Sequence, residues 1–110
     1  MMKFVEVEFI TKGIKISFVK RKKEIGRARL YLIWNDLHDK PYALLEDVFV
    51  DEKFRRKGIG TKIVKKAIEI AKKMNCYKII ATSRYKRKEV HKFYLKNGFK
   101  DWGKEFRLDL

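Results

Sequence analysis

The chain has 110 residues, 45% of them hydrophobic and 14% aromatic, which suffices for one folded domain over 1–110. Its 29 lysines and arginines against 14 acidic residues give a net charge of +15. Such a charge favours anionic partners, including nucleic acid, without choosing among them. A single cysteine excludes an internal disulfide and multi-cysteine metal sites. With no apolar run long enough to span a membrane, we expect a cytoplasmic protein without a membrane partner.

The first half of the chain predicts antiparallel strands. Apolar and polar residues alternate over Phe4–Ile10 and again over Ile14–Val19, which predicts a hairpin turning at residues 11–13. A third alternating segment, Ile25–Trp34, predicts another antiparallel strand. Tyr42–Val50 is apolar enough for an internal strand.

In the second half the apolar spacing changes to that of a helix. An apolar stripe from Ile59 onward predicts a helix of about four turns. The short segment Tyr77–Ser83 predicts a strand parallel to the preceding one. A second helix follows and ends at Asn97 and Gly98, which both tolerate a left-handed backbone. Phe99–Leu110 predicts a closing hairpin.

Two glycines, Gly58 and Gly60, stand between a basic cluster and the first helix. A strand, a glycine turn and a helix start place several unpaired backbone N–H groups around one point, which favours a bound phosphate. The spacing lacks the G-x-x-x-x-G-K-[ST] motif, and Ile63 stands where a dinucleotide fingerprint has its third glycine. A tight turn without a ligand is the alternative reading of the glycines alone.

The string "LLEDVFVDEKFRRKGIGTKIV" resembles the signature of the GNAT superfamily of acetyl-coenzyme A dependent N-acetyltransferases. Arg55, Gly58 and Gly60 fill the family pattern of Arg or Gln, two residues, Gly, one residue, Gly or Ala. A second block, "HKFYLKNGF", is similar to the family's later motif. The resemblance implies an α/β (α+β) fold with a mixed, mostly antiparallel sheet of about six to seven strands and two main helices. It also implies acetyl-CoA as cosubstrate and an amine as acceptor.

The same resemblance implies roles for individual residues. The pyrophosphate of the cosubstrate would lie on the cradle made by Arg55, Arg56, Lys57, Gly58, Ile59, Gly60 and Thr61. Its pantetheine arm would pair with the backbone of Val48, Phe49 and Val50. Arg87 stands where many members have an asparagine, and its loop would reach the 3'-phosphate or an acidic substrate.

Two side chains are the expected catalytic groups. Glu46 interrupts an apolar strand and matches a family glutamate that acts as base, and burial would raise its pKa. Tyr94 matches the tyrosine proposed to protonate the departing thiolate, and the Val48 N–H would stabilise the oxyanion. The alternatives are an Arg-paired or Lys-paired carboxylate at a bulge for Glu46 and simple packing for Tyr94. The two histidines lack ligand-spaced partners, so no metal is expected.

The chain departs from the family before the second strand. Members usually carry two helices there, whereas only residues 11–13 separate the first two predicted strands. The acceptor site is therefore expected to be open or to be completed by a second subunit in a homodimer. A basic nucleic-acid-binding module that retains the fold is the alternative function.

Overall fold

The computed structural model describes all residues 1–110, which form one sheet and two helices. A short 3-10 turn, Glu52–Phe54, links the third strand to the first helix. The strands are β1 (Thr11–Lys20), β2 (Lys23–Ile33), β3 (Tyr42–Val50) and β4 (Ile79–Ala81), and the helices are α1 (Ile59–Lys73) and α2 (Lys88–Lys96).

The sheet is mixed and mostly antiparallel, as predicted, but it has four strands rather than about six to seven. Its order is β1-β2-β3-β4, with antiparallel pairing between the first three strands and parallel pairing between β3 and β4. The β1–β2 hairpin turns at Arg21 and Lys22, which both have positive φ angles (49° and 65°). Two left-handed residues give the turn the twist that an antiparallel pair requires.

The core lies between α1 and one face of the sheet. Alternate residues of β2 and β3 point to α1, whose apolar stripe covers them. A Cβ built on Gly26 would lie 2.7 Å from Cδ1 of Ile63, so glycine lets α1 approach the sheet closely. The opposite face, called the open face below, is not covered by α1 and bears Arg27, Arg29, Glu46 and Phe49. The buried core residues are Ile25, Ala28, Leu30, Leu32, Ala43, Leu45, Ile59, Ile63, Val64, Ala67 and Ala71.

Most of the predicted elements are confirmed. The strand predicted over Tyr42–Val50 has those bounds, and both helices and the short parallel strand are present. The strand predicted over Ile14–Val19 lies within β1, which also absorbs residues 11–13 that were expected to turn.

Two terminal predictions are wrong. Residues 1–10 do not form a strand, and Phe99–Leu110 do not form a hairpin, because neither segment pairs with the sheet. Apart from Phe99, which packs against the core, their apolar side chains are exposed, with Phe4 100% and Phe106 90% exposed. Alternation provides an apolar face, but a strand also needs a neighbour and a cover for that face.

Neither helix is long and apolar enough to cross a membrane.

Candidate functional site

Strands β3 and β4 pair only at the start of β3. Residues Ala43 to Leu45 face Ile79 to Ala81, and beyond Leu45 no residue of β3 has a partner on β4. This edge of β3, which includes the backbone of Val48, Phe49 and Val50, is therefore open to a ligand that lies along it.

A bulge interrupts β3 immediately before these residues. Arg27 pairs with Phe49 and Arg29 pairs with Glu46, so β3 has one more residue than β2 over the same span. The extra length is accommodated at Asp47, which has a positive φ of 53°, and neither Asp47 nor Val48 has a paired residue on β2.

Asp47 is held by two arginines of the open face. Arg27 donates from Nε to Oδ2 (2.8 Å) and from Nη2 to Oδ1 (3.3 Å), and Arg29 donates from Nη1 to Oδ2. The hydrogen bond from Arg27 holds the pKa of the Asp47 carboxyl below its usual value. The sequence did not predict this contact, because in a regular strand the alternation of side chains gives no sign of a bulge at Asp47.

Glu46, the expected base, is exposed rather than buried. The expectation of burial is wrong because Glu46 precedes the bulge and points to the open face, while its neighbour Leu45 points to α1. Its cross-strand partner Arg29 directs its guanidinium to Asp47, so the arginine-paired carboxylate at the bulge is Asp47.

Six consecutive backbone N–H groups, from Arg56 to Thr61, have no hydrogen-bond acceptor in the protein. The amides on both sides of this run do have acceptors. Before it, the Arg55 N–H donates to the carbonyl of Glu52, and after it, the Lys62 N–H donates to the carbonyl of Gly58 (3.1 Å), which is the first helical hydrogen bond. Arg56 and Gly58 have left-handed φ angles of 63° and 79°. Free N–H groups in such a turn at the positive end of α1 form a concave site for an anion.

The two glycines differ in their roles. A Cβ at Gly58 would meet nothing within 4 Å, so the turn is not sealed by the protein's own side chains there and the positive φ explains the glycine. A Cβ at Gly60 would lie 3.5 Å from the ring of Phe93 and 3.9 Å from Cγ2 of Val50. Gly60 therefore lies where α2 and the end of β3 meet the first turn of α1.

Positive charge surrounds this turn. Lys53, Arg55, Arg56 and Lys57 take part in no ion pair, so their charges are available to a ligand. Arg55 donates from Nε to the carbonyl of Val50 (2.9 Å) and lies over the ring of Phe49. The turn therefore combines directed backbone donors with an anion-attracting field.

Tyr94 projects from α2 between two phenyl rings, those of Phe93 and Phe99, in edge-on contacts of 5.4 and 5.2 Å. Burial raises the pKa of its phenol, an effect that the charge of Arg87 opposes. Its hydroxyl has no hydrogen-bond partner in the protein and is protonated at neutral pH. Arg87 lies at the start of α2, where its carbonyl accepts from the amides of Val90 and His91.

A surface cavity of about 410 Å³ opens beside the end of β3. Its lining includes Arg27, Phe49 and Arg55, together with the carboxylates of Glu24, Asp51 and Glu52, so it presents both signs of charge. No group of three or more His, Cys, Asp or Glu side chains is arranged to hold a metal ion.

Comparison with known proteins identifies the family. Residues 10–99 match the acetyltransferase (GNAT) family. The chain is 33% identical over 98 residues to streptothricin acetyltransferase A of Bacillus subtilis, covering 86% of this chain and 53% of that protein. It is 38% identical over 66 residues to the glucosamine 6-phosphate N-acetyltransferase of Trypanosoma brucei brucei, covering 60% of this chain and 43% of that protein.

Solved structures agree with this assignment. An acetyltransferase of Agrobacterium tumefaciens, described as putative, superposes with a TM-score of 0.81 at 30% identity, covering 86% of this chain and 66% of that one. AAC(6')-Iy in complex with a bisubstrate CoA analogue shares the fold, with a TM-score of 0.76 at 16% identity, covering 89% and 69% of the two chains. Our chain spans about half the length of the curated relatives it matches. It belongs to the acetyltransferase (GNAT) family, whose members use acetyl-CoA.

Proposed function

We propose that this member of the GNAT family transfers the acetyl group of acetyl-CoA to an amine, with Glu46 as base and Tyr94 as acid. One observation carries the proposal: the six free N–H groups from Arg56 to Thr61 lie at the start of α1, beside the open edge of β3. Six free donors in one turn suit a pyrophosphate, which offers several acceptor oxygens at one place.

The residues present fit acetyl-CoA along its length. The pyrophosphate would accept from the amides of Arg56 to Thr61, and the free charges of Arg55 and Lys57 would add to its attraction. The pantetheine arm would pair with the backbone of β3 from Val48 to Val50, along the edge away from β2, which β4 does not reach. Arg87, near Tyr94 at the start of α2, would meet the 3'-phosphate or an acidic acceptor.

Acetyl-CoA supplies an activated thioester, so the protein needs no nucleophile of its own. Glu46, exposed on the open face, takes a proton from the acceptor ammonium. The amine nitrogen then attacks the carbonyl carbon, whose oxygen gains negative charge within reach of the Val48 N–H. As the carbon–sulfur bond breaks, the protonated Tyr94 donates its hydroxyl proton to the sulfur, while the nitrogen releases its second proton to solvent and Tyr94 regains a proton from solvent.

The acceptor that fits best carries both an amine and an anionic group. The open face lacks a covering helix, and the cavity at the end of β3 places Arg27 and Arg55 among three carboxylates. A protein of net charge +15 also attracts anions and repels polyamines at long range. Glucosamine 6-phosphate, for which two of the similar proteins are named, has this chemistry and comes first in the acceptor panel.

The test is a thermal shift with acetyl-CoA and with CoA, followed by thiol release with glucosamine 6-phosphate, an aminoglycoside and lysine-containing peptides. We expect both nucleotides to raise the melting temperature and at least one amine to release free thiol. Glu46→Gln should retain the thermal shift and lose turnover, whereas the matched Glu69→Gln, on the exposed face of α1, should keep both. If neither acetyl-CoA nor CoA raised the melting temperature, the proposal would be wrong.

Nucleic-acid binding and homodimer formation remain predictions. The first requires affinity for DNA or RNA that falls steeply with salt, and binding that ignores salt would argue against it. The second requires a mass near twice 13.3 kDa by light scattering.

A further inference from the structure

The bulge in β3 places a non-glycine residue in the left-handed region of backbone conformation beside the proposed site. Asp47 adopts a φ of 53°, a left-handed conformation that glycine adopts far more readily. Asp47 occupies the position nonetheless, and its carboxylate receives three hydrogen bonds from two arginines. The side chain therefore has a role that outweighs the conformational cost of placing it there.

The arginines hold the carboxylate in one orientation. Arg27 uses two different nitrogens on the two carboxylate oxygens, a two-point contact that fixes direction as well as distance. The same guanidinium lies over the ring of Phe49, 4.6 Å from its centroid. Arg27 therefore contacts β3 on both sides of Val48, at Asp47 and at Phe49.

Glu46 and Val48 are the residues that flank Asp47, and the proposed function gives both of them a part in the reaction. A left-handed residue between them changes the direction of the Val48 peptide group relative to a regular strand. The conformation of Asp47 therefore decides where the Val48 N–H and the Glu46 carboxylate point.

We propose, on the basis of the proposed function, that Asp47 is a positioning residue. The hydrogen bonds from Arg27 and Arg29 to its carboxylate, called the clamp below, keep β3 bulged. The clamp thereby orients the Val48 N–H and the Glu46 carboxylate for acetyl transfer. The pyrophosphate cradle belongs to a separate segment, from Arg56 to Thr61, so losing the clamp should lower turnover much more than it weakens nucleotide binding.

The first test compares Asp47→Asn and Asp47→Gly with Glu69→Gln. Glu69 is a matched control, since its carboxylate is also held by two basic side chains, Lys66 and Lys73, but it lies on α1, outside the proposed site. We expect both Asp47 variants to lose at least tenfold in kcat and to weaken the Kd for CoA by a much smaller factor. A merely structural role would change both quantities together or neither. In Asp47→Gly the residue can still adopt the left-handed conformation, but the carboxylate is gone. Full activity in that variant would show that the clamp is not needed.

A second measurement needs no turnover. In ¹H–¹⁵N spectra of the free protein, Asp47→Asn should shift the Val48 and Phe49 amide resonances and speed their hydrogen exchange at least tenfold. Spectra that superpose on the wild type at these amides would overturn the inference. If the wild-type protein bound neither CoA nor acetyl-CoA, the proposed function would fail, and the spectra would still decide whether the clamp shapes the bulge.

Discussion

Substitution of Gly58 tests the anion cradle most directly. Its φ of 79° costs an L-residue about 1–2 kcal/mol, although a Cβ there would meet nothing within 4 Å. In a domain of about 100 residues each kcal/mol lowers the melting temperature by roughly 4–8 °C. Gly58→Ala and Gly58→Glu should therefore both fold with a lower melting temperature. Only the glutamate adds a negative charge among the free amides, so it should abolish the rise caused by acetyl-CoA.

The chain offers a matched control at Gly98. This glycine has a φ of 93°, has nothing within 4 Å of a built Cβ, and follows α2 instead of preceding α1. Gly98→Glu should lower the stability by a similar amount and keep the rise in melting temperature with acetyl-CoA. At a hundredfold excess over Kd this stabilisation is about 2.7 kcal/mol, or roughly 11–22 °C. The assay is differential scanning fluorimetry with and without acetyl-CoA. A full shift in Gly58→Glu, or its loss in Gly98→Glu, would refute the cradle.

Three further predictions follow from single residues. Tyr94→Phe removes a hydroxyl without a partner and keeps the ring packing, so steady-state assays should show about a hundredfold lower turnover and calorimetry unchanged CoA binding. Gly26→Ala should destabilise by about 1–3 kcal/mol in urea unfolding, because its Cβ would lie 2.7 Å from a buried isoleucine of α1, whereas Gly103→Ala should be neutral. Arg27 holds the pKa of Asp47 below its usual value, so this stabilisation is present above about pH 4 and is lost as pH falls through the lower folded value. Urea midpoints of Asp47→Asn should therefore fall less between pH 6 and pH 2 than those of the wild type.

The local signals of the sequence predicted the centre of the fold. Tyr42–Val50 and the stripe from Ile59 have the expected forms because a buried strand and an amphipathic helix each carry their own pattern. The amides of Arg56 to Thr61 were also foreseen, since a glycine turn before a helix leaves N–H groups free wherever it occurs. These features depend on residues close together in the chain.

The terminal strands were not predicted correctly, because pairing depends on residues far apart in the chain. Phe4–Ile10 and Phe99–Leu110 alternate as strands do, yet the sheet ends at β1 and at β4. A strand at a sheet edge forms only when a neighbour provides backbone partners and an apolar cover, which alternation does not specify.

The bulge explains why Asp47, and not Glu46, is the carboxylate that pairs with arginine. In a regular strand Glu46 and Asp47 would point to opposite faces, and the sequence favoured Glu46 as the residue for the buried site. One extra residue in β3 breaks that alternation, so Asp47 receives both arginines and Glu46 stays free on the open face. A carboxylate engaged by two guanidinium groups is a poor proton acceptor because its pKa is lowered. The same contacts that make Asp47 a poor base therefore leave Glu46 as the free carboxylate beside the bulge, in agreement with the role that we propose for it.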